Sequence, residues 1–203
     1  MQAKNHFHGH FFTENLMLMK SLNLLFLLCL LAFAACKKDD NTSTNGTTLK
    51  YDNGNASGPL LEAGEHELAV RFPSDMLADL VGKKLTEVQV FVGNLPQACI
   101  VKIYKKGSAT APGTLIYQGN VLDDITTSKW NNFKITPGID ITGEDLWVSV
   151  YVEHAAQQQS IGCDAGPRKN NADWLFSGSD QDWLTYLERT GEGINWNIRA
   201  VVE

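Results

Sequence analysis

The residues of this 203-residue chain best suited to recognition are aromatic and acidic. Trp130, Trp147, Tyr151, Trp174, Trp183 and Trp196 carry flat rings that can stack on the apolar face of a sugar while polar neighbours hold its hydroxyls. Tryptophans also fill sandwich cores, and spacing alone does not separate the two roles. Trp147 and Tyr151 share one face of a predicted strand, and Trp174 and Trp183 sit among polar residues. These four are the ligand-binding candidates. A second group, Asp164, Asn170, Asn171, Asp173, Asp180 and Asp182, supplies oxygen atoms of the kind that Ca2+ collects, about six to eight at a time. Its four aspartates, Asp164, Asp173, Asp180 and Asp182, are the candidate ligands. The spacing matches no EF-hand loop, and Asn/Asp runs also serve simply as turns. No other metal or cofactor is indicated.

Nucleophilic chemistry has no signature here. There is no Gly-x-Ser-x-Gly elbow, and His66 and His154 stand in no metal-binding spacing. His66, between two glutamates, reads as a solvated strand-edge residue. Cys99 and Cys163 have no matched base to activate them. They are either a disulfide, which suits an oxidising compartment, or two small core residues. No acid pair can be nominated for glycosidase work. The chain is therefore expected to bind rather than catalyse.

Composition narrows the partners. A net charge of −6 argues against nucleic acid, which needs a basic surface. With 43% hydrophobic residues the chain is too apolar for disorder, and its length suits one domain.

The elements that would position these residues are short strands. Period-two alternation and short apolar runs mark strands at 49–51, 66–72, 85–92, 99–104, 114–118, 130–135, 146–152, 160–163, 173–176 and 196–202. One two-turn helix is predicted over Ser74–Gly82, with Ser74 as its cap. About ten strands with one short helix make an all-β fold, a sandwich or barrel. Thr86, Val88, Val90 and Val92 form the expected core face of one strand, with Leu85 turned outward. Cys99, Val101 and Ile103 form the core face of the next, with Lys102 and Tyr104 outward. Leu146–Val152 is apolar on both faces, so it is either central and covered twice or exposes an aromatic stripe.

The N-terminus reads as an address. Leu22–Ala35 is an apolar run broken only by Asn23, preceded by Lys20 and closed by Ala34 and Ala35. A membrane-spanning helix needs roughly 20 apolar residues, so this shorter run has the proportions of a signal-peptide core. Residues 1–18, which include His6, His8 and His10, read as a leader upstream of the true start, and no metal site is assigned to them. Ala34-Ala35-Cys36 resembles the lipobox of bacterial lipoproteins, in which the cysteine is lipidated. Phe33 departs from the aliphatic residue usual in that pattern. Each buried CH2 contributes about 0.8 kcal/mol, so several acyl chains give lasting anchoring. Lys38, Asp39 and Asp40, just after Cys36, resemble the export signal of Bacteroidetes lipoproteins. That resemblance implies display on the outer face of the outer membrane. Residues 1–35 are then signal, 36–48 a lipidated cysteine and polar tether, and 49–203 the folded domain.

Within that domain, APGTLIYQG, KWNNFKITPGIDITGEDLWVSVYVE, SIGCDAGPRKNNADW and GINWNIRAVVE follow one another in order. Their succession resembles a jelly-roll-like β-sandwich domain appended to secreted peptidases and adhesins of Bacteroidetes. The resemblance implies a binding or accessory module on the cell surface and no defined reaction. Together with the aromatic set, the leading expectation is a non-enzymatic binding module for glycan or a surface partner, attached to the membrane through its lipid anchor. A structural subunit of a cell-surface complex is the alternative reading, and a hydrolase with a site assembled from distant residues is a third.

Overall fold

Period-two alternation of β-branched residues builds the framework. The computed structural model describes residues 46–203; the signal segment, Cys36, Lys38, Asp39 and Asp40 lie outside the described residues. The strands are β1 (Thr47–Leu49), β2 (Gly64–Phe72), β3 (Lys84–Val92), β4 (Ala98–Lys105), β5 (Leu115–Asn120), β6 (Lys129–Asp140), β7 (Leu146–His154), β8 (Trp174–Ser177), β9 (Asp182–Thr185) and β10 (Ile198–Val202). They form two sheets, a smaller one in the order β1-β10-β3-β6 and a larger one in the order β5-β4-β7-β2-β8-β9. Every pairing between named strands is antiparallel. β1 lies on the edge, with Thr47 opposite Val202 of β10. This is the all-β sandwich that the alternation predicts.

The inner faces make one core. Leu68, Val70 and Phe72 from β2, Cys99, Val101 and Ile103 from β4, and Val148, Val150 and Val152 from β7 meet Val88, Val90, Ile198 and Ala200 of the smaller sheet. Each large apolar side chain buried this way contributes roughly 1.5–3 kcal/mol. β7 is indeed central, between β4 and β2.

Three local expectations are corrected. In β3, Val201 and Val202 of β10 face Glu87 and Leu85, so Thr86 is an extra residue on β3. That bulge re-aims the strand end. Leu85 turns fully into the core, and Thr86 is half-buried. Residues 160–163 form isolated bridges instead of a strand, Ile161 with Val92 and Cys163 with Ser57 and Trp196. The helix α1 covers only Ser74–Leu77 and passes into a 3-10 turn, Ala78–Leu80. Its cap position is Pro73, and the Ser74 amide donates instead to Asp145 Oδ1 at 2.9 Å.

A second helix, α2 (Tyr186–Thr190), is not among the predicted elements. It starts with a capping box in which Thr185 accepts from the Glu188 amide while Glu188 accepts from that of Thr185. It ends at Gly191, whose φ of 80° is the left-handed turn glycine makes without strain.

Candidate functional site

Alternation places Glu65, Glu67, Ala69 and Arg71 on the outer face of β2, beside Trp147, Ser149 and Tyr151 of β7. Lys102 and Tyr104 of β4 join them, as do Trp174 and Phe176 of β8 and Trp183 of β9. All four ligand-binding candidates, Trp147, Tyr151, Trp174 and Trp183, therefore stand on one face of the larger sheet.

They do not have the same access. Trp147 is fully buried and Trp174 is 6% exposed. Their ring centroids are 5.2 Å apart, Trp183 packs edge-on against Trp147 at 6.0 Å, and the Arg71 guanidinium lies 5.9 Å from the Trp147 ring. A ring must be open on one side to stack on a ligand, so Trp147 and Trp174 are supports and not contact surfaces. The indole N–H groups of both are buried without an acceptor. Tyr151 and Trp183 keep open surface.

The open part of the face is a cross-strand row. Ile100 lies opposite Tyr151, Tyr151 opposite Glu67, Glu67 opposite Phe176 and Phe176 opposite Trp183. Phe176 and Trp183 pack at 5.7 Å, and Ile100, Tyr151, Phe176 and Trp183 are all half-buried. At its centre Glu67, 5% exposed, accepts from Lys102 Nζ at 2.7 Å, Tyr104 OH at 2.6 Å and Ser149 Oγ at 2.6 Å. Lys102 also lies 4.7 Å from the Tyr151 ring centroid. Burial first, and then the Glu67 charge, push the Tyr104 hydroxyl well above its ordinary range, so it stays a donor. Burial raises Tyr151 too, aided by Glu65. The result is an aromatic strip over a fixed polar centre, suited to grip a ligand that is apolar on one face and hydroxylated at its edge.

The remaining candidates do not converge. Asp164 accepts from the Asn53, Gly166 and Asn195 amides and from Asn195 Nδ2, which ties three loops together. Asp173 is paired with Arg168 Nε at 2.7 Å, and Asp180 with Arg189. Asp182 accepts from the neighbouring Trp183 amide. The structure does not bring these four together, and no group of three or more His, Cys, Asp or Glu side chains that could hold a metal ion occurs among the described residues. Cys99 and Cys163 are free and buried, which selects the core alternative over the disulfide. Burial pushes the Cys99 thiol up to about 12 and raises Cys163 as well. His66 is buried, not solvated, because it shares the inner face of β2 with Leu68. Its Nε2 lies 2.9 Å from the Glu62 carbonyl, and its ring is 5.2 Å from His154.

A cavity of about 600 Å3 opens beside this end of the sandwich, lined by Leu60, Leu61, His66, Leu175, Tyr186 and Arg189 among others. Arg189 there is held by Asp180, by the Asp182 carbonyl and by the Leu175 carbonyl. It acts as a strut for the β8–β9 hairpin.

A scan against protein-family models returns no match, and no curated protein matches the chain. Among solved structures it is similar to a Clostridial cysteine protease, Cwp84, after propeptide cleavage, with TM-score 0.54 and 12% identity over 77% of this chain and 40% of that one. It is also similar to the cysteine protease and lectin-like domains of Cwp84, a surface layer associated protein of Clostridium difficile, with TM-score 0.52 and 12% identity over 76% and 37%. The likeness is one of fold. The chain spans about two-fifths of the length of these structures. At this identity no residue of the aromatic strip carries over from them. The strip stands on this chain's own geometry.

Proposed function

We propose that this chain is a cell-surface module that binds glycan without catalysis, anchored to the outer membrane by lipid on Cys36. The observation that carries the binding is the open row Tyr151, Phe176 and Trp183 around Glu67. Stacking on these rings supplies apolar contact, and the Glu67 cluster, buried at the centre of the row, fixes Lys102 against the Tyr151 ring. Fold likeness to a surface layer associated protein with lectin-like domains supports the same reading. The sequence after Ala35 supports the anchor.

The test is a polysaccharide panel probed with the full-length protein in detergent, beside Trp183→Ala and Tyr151→Ala variants checked for folding. Saturable binding that weakens in either folded variant is expected. Binding unchanged in both would remove the strip from the site, and no binding to any glycan would favour a protein partner on this face.

A further inference from the structure

At one end of the smaller sheet a second groove, about 340 Å3, lies between loops 55–58, 93–94 and 159–162. Its floor is Phe91, on the outer face of β3. Phe91 meets Trp130 edge-to-face at 6.0 Å, and the Arg199 guanidinium covers Trp130 at 3.7 Å. Arg199 is fixed in turn by two hydrogen bonds to Asp52, at 2.9 and 2.6 Å. The aromatic pair is thus clamped from behind.

The walls are equally fixed. The Gly93 amide donates to the Ser160 carbonyl at 2.8 Å, the Asn94 amide to Gln159 at 2.9 Å and the Gly162 amide to Phe91 at 2.9 Å. A Cβ on Gly93 would stand 2.7 Å from the Gln159 carbonyl oxygen, so the close approach of these loops requires glycine there. This groove is preformed, as small-ligand sites usually are.

Its lining mixes polar side chains with apolar surface and contains no ionisable side chain. Asn94 and Gln159 are exposed and make no side-chain hydrogen bond among the described residues. Asn197, fully buried behind Gly162, donates its Nδ2 to Asn55 Oδ1 at 2.7 Å. That bond turns the Asn55 oxygen inward and leaves its NH2 group to donate. Amides that both donate and accept match paired hydroxyls, and an aromatic floor matches the C–H face of a sugar ring. Acids and bases would find no counter-charge in the lining.

We infer that this groove is a second saccharide site, specific for neutral sugars and separate from the strip on the larger sheet. The inference does not depend on the strip, because the two sites share no residue. It is tested by calorimetric titration of the full-length protein in detergent with neutral oligosaccharides and with uronic-acid oligosaccharides of matched length. The double variant Asn94→Ala/Gln159→Ala alters two exposed side chains and leaves the loop backbone bonds in place. Compared within the Trp183→Ala background, which takes the strip out of the titration, it should bind the neutral oligosaccharides about tenfold more weakly than that parent, as expected for two lost hydrogen bonds. The inference is overturned if the double variant binds like the parent, if uronic acids bind this groove as well as neutral sugars, or if no neutral oligosaccharide binds. If Trp183→Ala alone abolishes saccharide binding, the strip is the site and the groove is not.

Discussion

Glu67 and Lys102 form a 2.7 Å ion pair that spans the strand between them, β2 to β4 across β7. Their side chains are 7% and 17% exposed, so the pair is screened little by water. Removing one partner of a buried pair costs about 3–5 kcal/mol because the other charge is left uncompensated. Glu67→Leu should lose stability on that scale in chemical denaturation, and Lys102→Met somewhat less, since Tyr104 and Ser149 still donate to Glu67. The double variant Glu67→Leu/Lys102→Met should recover part of the loss. Strict additivity of the two single effects would show that the pair is not coupled.

Trp147 and Trp183 touch, yet their substitutions should separate. Trp147→Ala opens a cavity under the aromatic strip and should cost about 3–5 kcal/mol. Trp183→Ala, at a half-buried site, should cost less and act on ligand binding. Thermal melts and binding isotherms of the two variants check this. Equal destabilisation would mean that Trp183 also serves the core.

Acid should weaken the fold through His154. Burial first, and then neighbouring His66, hold its pKa below the ordinary 6.5, against the pull of the Glu62 and Leu61 backbone. As pH falls below 6.5 the unfolded chain takes up its proton before the folded one does. The stability is therefore complete above that value and is lost as pH falls through the folded pKa. His154→Gln cannot titrate and should flatten the fall in melting temperature between about pH 7 and about pH 5, above the ordinary carboxylate range. An unaltered slope would exclude the histidine as its source.

The capping box of α2 is open to a direct measurement. Thr185→Ala removes the oxygen that accepts from the Glu188 amide at 3.1 Å. A loss of about 1 kcal/mol is expected in denaturant unfolding, typical for an N-cap. A change near zero would mean that Glu188 alone holds the helix start.

Legibility of the fold followed regularity of pattern. Cys99, Val101 and Ile103 alternate without interruption, and their inner face is read correctly. Leu85 is read on the wrong side because one extra residue at Thr86 inverts alternation, and nothing local marks a bulge. Asp182–Thr185 is too short to show a period, so β9 passes for loop. The α2 helix did leave a signal in Thr185, Glu188 and Gly191, a capping box followed by a glycine stop. For the aromatic strip, residue types pointed to Tyr151 and Trp183, while burial of Trp147 and Trp174 depended on neighbours from other strands. The Glu67 cluster was illegible because its partners stand 35, 37 and 82 residues away in sequence.

The edge pairing of β1 with β10 brings the first and last described residues together. Thr47 faces Val202, and a Cβ on Gly46 would stand 3.1 Å from Glu203 Cγ. A unit whose two ends meet can be spliced into a surface loop of a host protein without stretching either. Its two ends would enter and leave through the same edge of the smaller sheet. The outer face of the larger sheet would then be left clear of the host's chain, so the same sandwich could travel between proteins as an insert as readily as at a terminus.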